Sequence, residues 1–281
     1  MRFARLGEAG SEIPVVVGVD GVYDLRPVTS EIDGTFLAEG LQVAERAFNR
    51  GELPQIESAH LRVGAPIARP MAVVCVGMNY AAHAAESGAA PPSVPIIFYK
   101  HPATVIGPND PVEIPRRSKR TDWEVELGVV IGQRALYLDS RESAMNHIAG
   151  YTVVNDVSER TFQLEESGGQ WSKGKSSPGF NPTGPYLVTP DEVDVNNLRL
   201  RSWVNSELRQ DSNTSDMIFD VPAIIHHLSQ YMALEPGDLV LTGTPEGVAL
   251  SGLYAYLEPG DVVETEISSL GRQRQEFTPA T

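Results

Sequence analysis

Residues 121 to 131 read TDWEVELGVVI, with acidic side chains at Asp122, Glu124 and Glu126 and with Trp123, Val125, Leu127 and Val129 alternating between and after them. A strand points successive side chains to opposite faces, so the pattern predicts one apolar face and one face of converging carboxylates. Nothing cationic shares that acidic face within the segment. Carboxylates two residues apart on a rigid strand suit a hard divalent cation, whose charge offsets their repulsion. A solvated edge strand satisfies the same text, so the segment decides nothing without partners from elsewhere in the chain.

The rest of the chain argues for many short elements. Its 25 glycines and 21 prolines follow no period, which predicts turns and short strands and excludes collagen and coiled coil. At 281 residues the chain suits a main domain with a smaller partner. We expect a small N-terminal α+β unit over residues 1–68, with strands near 15–19 and 21–25 and a helix over 35–49, and a main domain over 69–281. In the main domain the buried-type run at 71–78, segments 96–100, 104–106 and 122–131, and the run 151–155 read as strands. Asp139 and Ser140 can cap a helix to Ile148 that stops at Gly150. Asp220, with Pro222 in the first turn, begins the clearest helix, whose Ile224, Ile225, Leu228 and Met232 share a face. The turns Gly237-Asp238 and Gly260-Asp261 each introduce a strand.

A net charge of −15 repels nucleic acid and anionic membrane surfaces, so neither is an expected partner. The same field opposes an anionic metabolite, and a carboxylate substrate therefore needs a local cation or metal. Cys75, the one cysteine, sits in an apolar run and reads as a small buried hydrophobe. The opening residues carry no apolar signal-like run and no stretch approaches membrane-spanning length, so the expectation is a soluble, cytoplasmic protein.

Four further features bear on chemistry. Residues 151–160, YTVVNDVSER, end a buried-type strand in Asp156, which suits either a metal site shared with a neighbouring strand or an ordinary Asn-Asp turn. GGQWSKGKSS, 168–177, is a glycine-rich loop with Lys173 and Lys175 but without the order of a nucleotide P-loop. Either lysine can serve a carboxylate or an enolate, or the loop is solvated. His83 and Glu86 stand three apart on an alanine-rich turn, where a glutamate can orient an imidazole as general base. That turn and the proline-bearing loop after it, residues 80–95, have the composition of a mobile lid. His226 and His227 lack a ligand pattern and read as structural.

Taken together these strings resemble the fumarylacetoacetate hydrolase family over roughly residues 70–270. The resemblance rests on CVGMNYAAHAAESG from Cys75, IGPNDP from Ile106, DWEVELGVVIG from Asp122, GYTVVNDVSER from Gly150, GQWSKGKS from Gly169, EPGDLVLTGTP from Glu235 and LEPGD from Leu257. It implies a mostly β (α+β) fold of the family's roll type, a Mg²⁺ or Mn²⁺ ion, a homodimer, and hydrolysis of a carbon–carbon bond in a β-diketo acid. Carried over by position, it implies Glu124, Glu126 and Asp156 as metal ligands and His83 with Glu86 as the water-activating dyad. It implies Lys175 as the enolate-stabilising lysine, and Arg160, Gln163 and Thr244 as residues that contact substrate or order the pocket. Oxaloacetate-type decarboxylation and isomerisation of an unsaturated diacid use the same enolate chemistry, and a non-catalytic metal-binding protein is the distant alternative. Two departures from the family text bear on substrate identity: Ala249-Leu250-Ser251 where the family often continues with glycine, and the proline-bearing SSPGFNP after Lys175.

Overall fold

A computed structural model describes residues 1–86, 88 and 90–280. Short strands dominate it, and ten of them form one sheet. Across that sheet the order is Gln55–Ile56, Val22–Asp24, Ile13–Val17, Arg2–Leu6, Leu187–Val188, Ile148–Asn155, Val125–Ile131, Leu239–Leu241, Val73–Gly77 and Ile96–Lys100. Neighbours run antiparallel except 239–241, which lies parallel to 73–77. The N-terminal strands continue this sheet across residues 68 and 69, with Arg2 opposite Val188. A five-stranded sheet follows the order Glu207–Asn213, Arg199–Val204, Val262–Ile267, Gly271–Pro279 and Val112–Ile114.

Both faces of the large sheet are covered, which explains its β-branched and apolar strands. On one face Val125, Leu127, Val129 and Ile131 pack with Leu200 and Ile267 of the second sheet and with Ile224, Ile225 and Leu228 of the helix Val221–Ser229. Asp220 caps that helix by accepting from the Ala223 N–H at 2.9 Å. On the other face Cys75, Phe98, Val130 and Leu239 pack with Phe36, Leu37, Ala44 and Ala47 from the N-terminal helices. The two Gly-Asp turns lead into Leu239–Leu241 and Val262–Ile267 as the sequence predicts. Among the described residues no helix is long and apolar enough to cross a membrane.

Three elements depart from expectation. The helix over 35–49 is two helices, Gly34–Glu39 and Leu41–Asn49, meeting at Gly40. The helix begun at Ser140 lasts only Arg141–Ala144 plus a 3₁₀ turn at Met145–His147, and the strand already starts at Ile148. Gly150 is thus inside a strand rather than a helix stop. A Cβ there would lie 2.4 Å from the Val188 carbonyl oxygen, so the residue permits the close approach of the neighbouring strand. Finally, the 122–131 strand is interrupted: Thr121–Asp122 pairs with Ser158–Glu159, and Val125–Ile131 with Ile148–Asn155. Trp123 turns into a separate core with Phe180, Leu257 and Phe277. Side chains replace the missing ladder bonds, with Asn155 Oδ1 accepting from the Glu124 N–H at 3.1 Å and Gln210 Oε1 from the Val125 N–H at 3.0 Å.

Gly150→Ala is expected to force these strands apart and lower the unfolding free energy by about 1–3 kcal/mol, as overpacking of a filled interior does. Urea denaturation followed by tryptophan fluorescence measures it.

Candidate active site

Topology gathers the chemistry at one end of the large sheet. The start of 125–131 lies beside the finish of 148–155, with Val125 opposite Asn155. It also lies beside the finish of 239–241, with Leu241 opposite Gly128. Glu124, Glu126, Asp156, Gly243 and Thr244 therefore meet although more than a hundred residues separate the first from the last. The acidic face is acidic only here, since Gly128 and Val130 continue it into apolar packing. The strand is central, with both faces buried, and the solvated-edge alternative does not hold.

Oxygens of Glu124, Glu126 and Asp156 lie within 4.8 Å of one another, and all three residues are buried. Cations from other segments reach them. Lys175 Nζ donates to Glu124 Oε2 at 2.7 Å and to Asp156 Oδ2 at 2.8 Å. Arg160 Nη2 lies 2.7 Å from Glu124 Oε1, Nε donates to Asp122 Oδ2 at 2.8 Å, and Nη1 donates to Gln163 Oε1 at 2.9 Å. Burial alone would raise Glu124, but Lys175 and Arg160 hold it well below the usual carboxylate range. Burial would likewise lower Lys175, but Asp156 and Glu124 hold its ammonium above the ordinary lysine range. Glu126 has no such cation on it. It accepts the Gly243 N–H at 2.8 Å, and burial, with Asp156 and Glu124 beside it, pushes its carboxyl well above the usual range.

Lys100, which the sequence reading passed over, is buried in the same cluster. Its Nζ donates to Asp156 Oδ1 and, at 3.1 Å, to the Val157 carbonyl. Burial pushes its ammonium down despite the pull of Asp156. The signal was present: in IIFYK, Lys100 has the parity of Phe98, which is inward. Asp122, counted with the acidic face, instead accepts from Arg160 and from the Ala249 and Leu250 N–H groups at 2.9 Å each. Four carboxylates, Asp122, Glu124, Glu126 and Asp156, thus face three cations, Lys100, Arg160 and Lys175. With all four ionised one negative charge is left over, which a proton on Glu126 relieves in the metal-free chain, and three clustered oxygen donors short of one cation fit a hard divalent ion.

A cavity of about 150 Å³ opens onto this cluster, lined among others by His83, Glu124, Glu126, Arg160, Gln163, Lys175 and Thr244. His83 and Glu86 lie on the helix Ala81–Glu86, with His83 Nδ1 3.5 Å from Glu86 Oε2 and the ring buried. The helix is docked by Asp216, which accepts the Ala82 N–H at 3.0 Å, and by Glu86, which accepts the Gly247 N–H at 3.2 and 3.3 Å. Of the expected lid segment 80–95, positions 87 and 89 lie outside the described residues. The Thr244 hydroxyl donates to the Val125 carbonyl at 2.9 Å and accepts from Gln210 at 2.9 Å, which orders this wall. Lys173 points away and is exposed, donating to the Glu166 carbonyl at 3.0 Å. Cys75 is wholly buried, and burial, reinforced by Asp156, pushes its thiol up. His226 and His227 lie on the 221–229 helix and do not line the cavity.

The sequence profile described as fumarylacetoacetate (FAA) hydrolase C-terminal matches residues 72–278, most of the chain. The chain belongs to the fumarylacetoacetate hydrolase family. Within that family it is 43% identical, over 99% of its length and 96% of the relative's, to a 2,4-didehydro-3-deoxy-L-rhamnonate hydrolase of Sphingomonas sp. strain SKA58. Its structure is similar to a fumarylacetoacetate hydrolase from psychrophilic Exiguobacterium antarcticum, with a TM-score of 0.87, 33% identity and full coverage of both chains. It is similar also to maleylpyruvate hydrolase from Sphingobium sp. SYK-6, solved with manganese(II) and pyruvate, with a TM-score of 0.82, 28% identity and full coverage of both. The mostly β roll of this family is the fold seen here.

Removing Lys100 leaves buried Asp156 with a single cation, and loss of one partner of a buried pair typically costs about 3–5 kcal/mol. Lys100→Met should therefore lower the unfolding free energy by about 3 kcal/mol in urea denaturation, while the exposed Lys173→Met stays within about 0.5 kcal/mol of wild type.

Proposed function

We propose that this protein is a divalent-metal-dependent hydrolase that splits the carbon–carbon bond of a short 2,4-diketo acid, releasing pyruvate and a second acid. The observation that carries the reading is the cavity with a buried lysine–carboxylate cluster at its base and an imidazole–carboxylate pair in its wall. Glu124, Glu126 and Asp156 would hold Mg²⁺ or Mn²⁺, which when bound supplies Lewis-acid polarisation of the dicarbonyl and charge neutralisation for an enolate. One divalent ion turns the surplus of one negative charge into one positive charge, which suits an anionic substrate in an acidic protein. The family's homodimer and a cytoplasmic location go with this proposal.

The chain's own residues divide the work. Arg160 and Lys175 offer the positive end for the substrate carboxylate and the developing enolate. Glu86 faces His83 Nδ1 and leaves Nε2 to take a proton from water. The hydroxide attacks the C4 carbonyl, the C3–C4 bond breaks, and its electron pair forms the enolate of pyruvate. That enolate is stabilised by the Lys175 ammonium, which the carboxylates beside it keep charged. Protonation at C3 then gives pyruvate, and the acyl half leaves as its acid. Thr244 and Gln163 keep the wall and Arg160 in place. The Sphingomonas relative's name describes an acid oxidised at C2 and C4, which has the required 2,4-dicarbonyl.

Purified protein with Mg²⁺ or Mn²⁺ should release pyruvate from acylpyruvates. His83→Ala should abolish this release, and Lys175→Ala should lower turnover on the order of 10²-fold while binding of Mn²⁺ stays nearly intact. Lys173→Ala should cost far less. Decarboxylation of oxaloacetate needs no attacking water, so it should survive His83→Ala. Wild-type protein that decarboxylates oxaloacetate but ignores every acylpyruvate is a lyase instead.

Metal binding should also depend on pH with a definite sign. The folded, metal-free chain keeps a proton on Glu126 that the unfolded chain has already lost, because burial raises the folded-state value. Above the ordinary carboxyl range the folded state therefore binds more protons than the unfolded one, and stability falls as pH rises toward the raised value. A divalent ion displaces that proton, so its affinity rises over the same range. Thermal melts should show a Mn²⁺-induced increase in Tm that grows with pH in wild type and is flattened in Glu126→Gln.

A further inference from the structure

The cavity is charged at its base and apolar at its mouth, a division that the chemistry of bond cleavage does not by itself require. The base holds Arg160 and Lys175 against Glu124 and Asp156. The mouth is lined by Met78, Leu164, Trp171 and Leu250. Neighbouring elements set where the last three stand. Trp171 abuts the backbone at Gly77, where a Cβ would come within 2.4 Å of its Cζ3, and packs at 5.6 Å on Phe98, over which Lys175 Nζ sits at 5.1 Å. Leu164 ends the helix Arg160–Leu164, so the helix that turns Arg160 inward presents Leu164, 46% exposed, at the rim. Leu250, in the segment that departs from the family text, is fixed through its N–H to Asp122, the carboxylate that also holds Arg160.

Carboxylates stand behind the His83 side of the cavity. Glu86 and Asp216 are both bonded to the His83 helix or its support, and Glu246, half-buried, stands close enough to feel both of them and His83. Among the described residues lining the cavity, the cations Arg160 and Lys175 are both committed at the base. A second carboxylate at the far end of a substrate would therefore be desolvated against leucine and tryptophan, with no lysine or arginine among the described lining residues free to pair with it, which is costly. The size matters as well: about 150 Å³ is small beside the roughly 300–1,000 Å³ usual for ligand pockets. Such a size favours a short tail beyond the dicarbonyl.

We propose that Leu164, Trp171 and Leu250 are specificity-determining residues that restrict the substrate to 2,4-diketo acids with a short, uncharged acyl tail, and exclude those with a distal carboxylate. This rests on the hydrolase reading above and deepens it. The carboxylate and 2-oxo group enter toward Lys175 and Arg160, and the acyl group bound to C4 points outward past His83 to the apolar rim.

The test compares acetylpyruvate, with a methyl tail, and the dicarboxylate maleylpyruvate, using the Mn²⁺-loaded full chain. Acetylpyruvate should have at least about tenfold higher kcat/KM, because an unpaired polar group in an apolar pocket is discriminated by that much or more. Leu164→Arg, at the exposed rim where the change is tolerated, should shift the ratio toward maleylpyruvate by about tenfold, mostly through its KM. Leu250→Arg is the second variant and should shift it in the same direction. A binding measurement separates this inference from the reaction: 2-oxobutanoate should raise the Tm of the wild-type protein more than 2-oxoglutarate does at equal concentration. If neither diketo acid is cleaved but that order of stabilisation holds, the hydrolase reading fails and the selection stands. A ratio below tenfold in wild type, equal stabilisation by the two oxo acids, or ratios unmoved in both arginine variants would overturn the selection.

Discussion

Buried charge has to be balanced where it is buried, and in this protein that requirement joins segments with no other reason to meet. Lys175 lies between Glu124 and Asp156, Lys100 holds the other oxygen of Asp156, and Arg160 spans Asp122 and Glu124. Each carboxylate left without its cation would cost several kcal/mol, so the glycine-rich loop before Lys175, the strand that ends at Lys100 and the helix that begins at Arg160 are all tied to the same spot. Glu126 is the exception, supported by one backbone N–H and short of a positive charge. A folded core of this kind is stable enough to form and still incomplete, which is the condition a divalent ion would meet.

The sheet supplies the rigidity that this balance needs. Its antiparallel order puts the beginning of one strand beside the ends of two others, and the parallel pair 239–241 with 73–77 brings the His83 helix to the same edge. The interruption at Trp123 and Glu124 has a purpose in this setting. It releases Trp123 into a second core while Asn155 and Gln210 take over the backbone bonds, so Glu124 is aimed at Asp156 without leaving an unsatisfied amide. Gln210 also reaches Thr244 and the Pro245 carbonyl, which links the five-stranded sheet to the cavity wall.

The cavity keeps two chemistries apart. Its base carries groups suited to a carboxylate beside a carbonyl, and its mouth carries side chains suited to whatever is attached beyond. Leu250 and Trp171 are features of this mouth, on the side where the second half of the proposed substrate would lie.

The sequence by itself determined what local chemistry can determine. Alternation over 121–131 predicted the strand that survives as Val125–Ile131, and the Asp220 cap with its apolar helix face and the Gly-Asp turns predicted their elements, because each depends on residues within a turn or strand of one another. Motif order made Glu124, Glu126, Asp156, His83, Glu86 and Lys175 legible as candidates before any geometry existed. The tertiary structure decided the rest, for reasons of partnership. Gly150 has the chemistry of a helix stop, yet strand pairing and the approach of Val188 place it in a sheet. Lys173 and Lys175 share one loop and one chemistry, motif order alone favours Lys175, and the fold turns the first to solvent and the second to two carboxylates. Lys100 is an unremarked lysine at a strand end until Asp156, fifty-six residues later, is folded against it. A side chain's own neighbours set its local conformation, but which charge balances it and which wall it forms depend on contacts that exist only once distant segments are packed together.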